Sequence, residues 1–178
     1  MDMGGNIWAG TKTGLVGISE GKAMVYGNID NISISSIYPV SPDTLICGGP
    51  NEIFVFIPQS QQKVRLNEFN PYLSQEIIGI VEKENDIFLV QQNRILQYNQ
   101  LNKHHEIIPT IYPASNILPI NKTVYGSESE KILIGTSDGI FESSGKRLNL
   151  KPLLLHHALN NQHIHAITRD NRNMLWLS

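Results

Sequence analysis

Four histidines crowd one stretch near the end of this 178-residue chain: His156, His157, His163 and His165. His163 and His165 are two residues apart, so on a strand both project from one face, as a metal-binding pair does. No acid or cysteine falls among the four, and their spacing makes no coordination set, so no metal is expected. A hydrolase would need paired carboxylates, a Ser/His/Asp set or a Cys/His set. The acids Glu82, Glu84, Glu128, Glu130 and Asp170 fall instead on links between apolar runs, where solvated turns account for them. Gly10, Gly14, Gly135 and Gly139 do not open onto a helix, so they form no phosphate cradle. Cys47 is the single cysteine and lies in an apolar run, which predicts a buried, inert thiol and no internal disulfide. Trp8 and Trp176 could stack on sugar rings, but inside strands they are expected to pack between sheets. No catalytic residue, cofactor or enzyme activity is expected.

What would position these residues is a repeated hairpin. Residues 5–18, GNIWAGTKTGLVGI, read as strand, tight turn and strand: apolar and β-branched residues flank a glycine-bounded turn. Residues 44–56, 86–98 and 131–143 repeat the scheme, and 173–178 begin it again. Trp8, Ile46, Phe88, Leu133 and Trp176 share one position, at separations of 38, 42, 45 and 43 residues. Leu15, Ile53, Ile95 and Ile140 share another, each seven residues further on. A period near 40–45 residues with several short strands per unit is the pattern of a β-propeller blade.

The predicted fold is therefore all-β: a β-propeller segment of about four four-stranded blades, forming part of a larger ring. Repeat boundaries fall near 1–31, 32–75, 76–116 and 117–162, with a truncated copy at 163–178. Segments opening with Lys22, Lys63, Lys103 and Lys146 suit outer strands, where charge discourages edge pairing. The runs 32–40, 76–82, 121–126 and 163–170 are expected as the innermost strands. The first repeat lacks such a strand and the last stops after two, leaving edges and apolar flanks for further blades or a second copy.

Composition is compatible with this. With 40% hydrophobic and 17% charged residues, a substantial core is possible; the net charge of −2 supplies no excess for a phosphate backbone, so nucleic acid is not expected. No apolar run reaches the roughly 18–20 residues of a bilayer span, and the first residues lack signal-peptide character, so this segment is not expected to touch a membrane. If each blade runs from inner to outer strand, hairpin tips and outer-to-inner links open on one rim. That rim would carry Lys12, Asn51, Glu52, Asn93, Arg94 and Asp138 on the tips, with Phe69, Tyr72, Tyr112 and His163 on the links. Amides, charges and tyrosines together suit a small polar ligand, an oligosaccharide among the candidates.

Residues 5–15 (GNIWAGTKTGL), 132–141 (ILIGTSDGIF) and 158–178 (ALNNQHIHAITRDNRNMLWLS) resemble the two-component regulator propeller repeat. The second and third copies depart from it: Ile46 replaces Trp, and DIFLVQQNR lacks both Gly-Thr and the second glycine. The resemblance implies a periplasmic sensor region of a bacterial hybrid histidine kinase, with propeller rings of the seven-bladed type to which these blades would belong, and an immunoglobulin-like domain, a membrane helix and a kinase elsewhere. Relatives in gut bacteria commonly sense glycan fragments. No kinase motif is in this sequence. The competing readings are a protein-interaction scaffold and a sugar- or lactone-processing propeller enzyme.

Overall fold

A computed structural model describes residues 4–26, 29, 31–50, 52–83, 85–109, 114–120, 131–144, 150–153, 162–170, 172 and 174–178. The chain divides into two compact units, Met1–Ile80 and Val81–Ser178. Both are built from antiparallel sheets in which strands follow one another in chain order.

In the first unit, β1 (Ile7–Thr11), β2 (Gly14–Ser19) and β3 (Lys22–Tyr26) form a three-stranded sheet. A four-stranded sheet follows: β4 (Ser36–Ser41), β5 (Thr44–Gly48), β6 (Ile53–Ile57) and β7 (Gln62–Arg65). A 3-10 helix, Asn67–Tyr72, then leads into β8 (Ile77–Lys83). The third sheet orders β8 with β9 (Asp86–Gln91), β10 (Arg94–Asn99) and β11 (His105–Pro109). In the second unit follow β12 (Ala114–Ile120), β13 (Lys131–Thr136), β14 (Gly139–Ser144) and β15 (Leu150–Pro152), then the two-stranded pair β16 (Ile167–Arg169) and β17 (Leu175–Leu177).

Alternation along the strands gives each sheet two distinct faces. On the first sheet, Leu15 and Tyr26 pair across β2 and β3 and are buried, with Trp8 on the same face. That face packs on Leu45, Cys47, Phe54 and Phe56 of the second sheet, all fully buried. Tyr26 meets Phe56 edge-on, ring centroids 5.3 Å apart. The second unit repeats the arrangement, with Leu133 and Ile140 of the fourth sheet packed against Ile167, Leu175 and Leu177 of the fifth. Burial pushes the Cys47 thiol up to about 12, despite the nearby Lys63 ammonium.

Neighbouring sheets approach so closely at one recurring position that a side chain is excluded. A Cβ on Gly10 would overlap the backbone carbonyl of Ile34, and one on Gly48 would come 2.9 Å from Ile77 Cδ1. On Gly135 it would lie 2.9 Å from Ile164 Cγ2. Backbone hydrogen bonds fix the same junctions: Ile34 N–H donates to the Thr11 carbonyl at 2.9 Å, and Ile164 N–H to the Thr136 carbonyl at 3.0 Å.

Two strand expectations are corrected. The first strand of the fourth sheet is Ala114–Ile120, upstream of the expected 121–126, which lies outside the described residues. ASNILPI carries an asparagine, a serine and Pro119, so it reads as a link; a register shift between Ala114 and Asn116 accommodates the irregularity. His163 and His165 precede β16 rather than lying within it, since pairing with β17 starts at Ile167.

Replacing Gly10 by Ala must displace backbone rather than a flexible side chain. The expected outcome is a loss of about 1–3 kcal/mol in urea unfolding, the usual cost of overpacking; an unchanged midpoint would show the junction to be looser than described.

Candidate functional site

Antiparallel strands place successive turns at opposite ends of a sheet, and this divides the expected rim from the cavity the structure forms. At the β1–β2 tip, Thr11 Oγ1 donates to the Gly14 carbonyl at 3.0 Å and accepts the Thr13 N–H at 3.2 Å, leaving Lys12 exposed at the apex. The β13–β14 tip repeats this: Thr136 Oγ1 donates to the Gly139 carbonyl at 2.9 Å and accepts the Asp138 N–H at 3.1 Å. Gly139 N–H donates to the Gln162 carbonyl at 2.9 Å, which brings the Asp138 tip beside the His163 segment. His163 is exposed and its ring stacks on His165, centroids 4.2 Å apart.

Other rim residues are committed elsewhere. Glu52 accepts Arg65 Nε at 2.6 Å and Lys63 Nζ at 2.7 Å, so it pins the outer strand β7 to the hairpin tip. Lys63 also lies 4.6 Å above the Phe54 ring; a lysine expected to guard an edge is instead half-buried. Arg94 Nε donates to Gln91 Oε1 at 2.6 Å, while Asn93 is exposed at its tip. Tyr72 ends the 3-10 helix half-buried, and Phe69 is fully buried, a core residue rather than a rim aromatic. Asn51 and Tyr112 lie outside the described residues.

At the other end of the first two sheets lies a cavity of about 350 Å³. Its floor is Trp8, whose indole lies over Gly17; a Cβ there would come 2.6 Å from indole Cζ3, so glycine lets the ring lie flat on the sheet. Tyr26 stands 5.7 Å from the indole, centroid to centroid, and Met24 borders it. The walls come from the β4–β5 turn (Pro42, Asp43) and the β6–β7 turn (Pro58, Gln59, Gln61), with Asn6 and Ser19 beside them. Gln59 Nε2 donates to Asp43 Oδ1 at 2.9 Å, holding the two turns together. An indole face bounded by amides and a carboxylate can bind a polar ring by stacking and hydrogen bonding at once. The sequence missed this site because its residues come from five separate segments; an indole opposite a glycine was the available signal.

Trp176, the counterpart of Trp8, is 58% exposed instead of packed between sheets. Its Nε1–H donates to Asp170 Oδ2 at 3.0 Å, and Arg172 and Met174 N–H groups both donate to Oδ1 at 2.9 Å. The Trp176 bond foremost, then the Met174 N–H, with a lesser part from the Arg172 N–H, hold the Asp170 carboxyl below its usual value against the opposing effect of desolvation. Among the described residues, no three His, Cys, Asp or Glu side chains gather as a metal site, and no helix is long and apolar enough to cross a membrane.

No protein-family model matches the sequence, and no curated protein matches it. Solved structures do. The extracellular domain of BT4673 from B. thetaiotaomicron, described in one structure as a one-component and in another as a hybrid two-component system, aligns over 99% of this chain with TM-scores of 0.71 and 0.67. The identities are 17% and 16%, and the chain spans 24% and 25% of those molecules. The extracellular domain of a hybrid two-component system, BT3049, of the same bacterium aligns over 99% of this chain at a TM-score of 0.56 and 14% identity, covering 26% of that molecule. PorZ, a surface component of the type-IX secretion system of Porphyromonas gingivalis, aligns at 0.60 and 14% identity over 99% of this chain and 30% of its own.

Because the Asp170 carboxyl is held low, its stabilising hydrogen bonds are complete above the ordinary carboxylate value of about 3.9 and are lost as pH falls through the lower folded value. In a Trp8→Phe background, Trp176 emission is expected to change with a midpoint below about 3.9; a midpoint at or above that value would contradict the geometry. At this level of similarity the comparisons establish the architecture, and the chain is an all-β propeller-like segment with several four-stranded antiparallel sheets.

Proposed function

We propose that this chain is a ligand-sensing propeller segment of the extracytoplasmic region of a bacterial hybrid two-component sensor, with a saccharide as its ligand. The observation that carries the reading is the alignment of 99% of the chain with extracellular domains of such systems. The repeat resemblance in the sequence supports the same assignment independently of the coordinates. The Trp8 cavity supports the ligand class: a flat indole beside Tyr26 offers stacking, while Asn6, Asp43, Gln59 and Gln61 offer hydrogen-bonding groups to hydroxyls. Sensing would act by population shift, the ligand favouring one arrangement of the blades and so biasing a kinase elsewhere in the protein. The segment itself transfers no phosphate in this reading.

A panel of oligosaccharides screened by thermal unfolding tests it. A ligand at one hundred times its Kd stabilises by about 2.7 kcal/mol, a shift of several degrees in a chain of this size. At least one saccharide is expected to raise the melting temperature, and Trp8→Ala is expected to abolish the shift while leaving the far-ultraviolet circular dichroism unchanged. No shift with any saccharide, or one indifferent to Trp8→Ala, would overturn the ligand assignment.

A further inference from the structure

The Trp8 cavity has a charge as well as a shape. Of the side chains that line it one is ionised, the carboxylate of Asp43, and among the described residues no lysine, arginine or histidine joins the wall. Gln59 Nε2 donates to Asp43 Oδ1 at 2.9 Å and so holds the carboxylate in place, while no cation among the described residues pairs with it. The two cations of the same sheet, Lys63 and Arg65, are both engaged by Glu52, at 2.7 and 2.6 Å. Glu20, in the β2–β3 turn, and Lys22, at the start of β3, are exposed, stand outside the wall and offset one another in charge.

The rings add to this negative field. An aromatic face carries the negative end of the ring's quadrupole and attracts a cation. The Trp8 indole is spread over Gly17, and Tyr26 stands 5.7 Å from it at an interplanar angle of 38°. Stacking on the apolar face of a sugar ring does not tell a neutral sugar from a charged one. Charge does. A carboxylate on the ligand would meet Asp43 and two aromatic rings with no counter-ion. An ammonium would meet Asp43 and the indole favourably, and the amide oxygens of Gln59 and Gln61 on the same wall accept its remaining N–H groups.

We propose that the Trp8 cavity selects a sugar bearing a protonated amine over a neutral or acidic one. This deepens the saccharide reading and rests on it. The volume of about 350 Å³ lies near the lower end for ligand sites, so the cavity takes a small sugar or the end of a longer one. An exposed ion pair and an exposed cation–π contact together amount to about a tenfold preference.

Calorimetric titration with three disaccharides of one backbone tests it: the β-1,4-linked glucosamine disaccharide, its N-acetylated form and cellobiose. They carry an ammonium, an acetamide and a hydroxyl at the same position. At low salt, and at a pH where the amine is protonated, the glucosamine disaccharide is expected to bind about tenfold more tightly than either of the others. Asp43→Asn removes the charge and keeps an oxygen for Gln59; it is expected to cut that preference to about threefold, the share left to the indole. Asp43 is exposed, and circular dichroism checks that the variant is folded. Added salt is expected to shrink the wild-type preference. Equal affinity for the three sugars, or a preference that survives Asp43→Asn in full, would overturn the charge selection and leave the saccharide reading standing. Binding of none of them would also overturn it, and the wider oligosaccharide panel then judges the saccharide reading separately.

Discussion

The fold depends on how closely one sheet can approach the next at the end of its hairpin. At Gly10, Gly48 and Gly135 the absence of a Cβ lets an isoleucine from the following segment lie against the strand. Backbone hydrogen bonds then hold that segment in line, from Ile34 to Thr11 and from Ile164 to Thr136. The third copy has no glycine at this position. The glycine position holds Val90, fully buried, and the following segment brings Ala114, whose N–H donates to the Gln92 carbonyl at 2.7 Å.

Once that approach is fixed, the faces follow. A sheet brought so near its neighbour must cover it, and two-residue alternation decides which side chains do so. Leu15 and Tyr26 reach across to Phe54 and Phe56; Leu133 and Ile140 reach across to Leu175 and Leu177. Turns are left to vary. One set is closed by threonine hydroxyls bonded within the tip, and those turns show polar side chains on a rigid base. The set at the other end of the first two sheets encloses the Trp8 cavity. Binding surfaces on such a scaffold come from loops, while the strands hold them in place.

Much of this was legible in the sequence, because its cause is local. Hairpins such as IWAGT-KT-GLVGIS announce themselves through apolar alternation around a glycine-bounded turn, and their spacing announces repetition. Ala114–Ile120 escaped because its proline and asparagine weaken the pattern, and tertiary pairing with β13 overrides that weakness. Phe69 looked like a loop aromatic since nothing in its neighbourhood records that the 3-10 helix turns it into the core. Glu52 looked free because its partners, Lys63 and Arg65, lie one strand away. Trp8 and Trp176 occupy equivalent positions, yet one floors a cavity and the other is bare, a difference decided by what stands beside each sheet. Ligand cavities assembled from five segments are beyond any periodicity.

The central claim is that successive sheets are locked together by complementary bulk at the glycine junction. A double-mutant cycle at the last such junction measures it directly, with Gly135→Val and Ile164→Ala made singly and together and each unfolded in urea. Each single change is expected to destabilise and the pair to recover much of the loss, because a side chain at 135 would enter the space that Ile164 Cγ2 fills, 2.9 Å from a Cβ there. Strictly additive losses would contradict it, since they would mean that the two residues do not share one space.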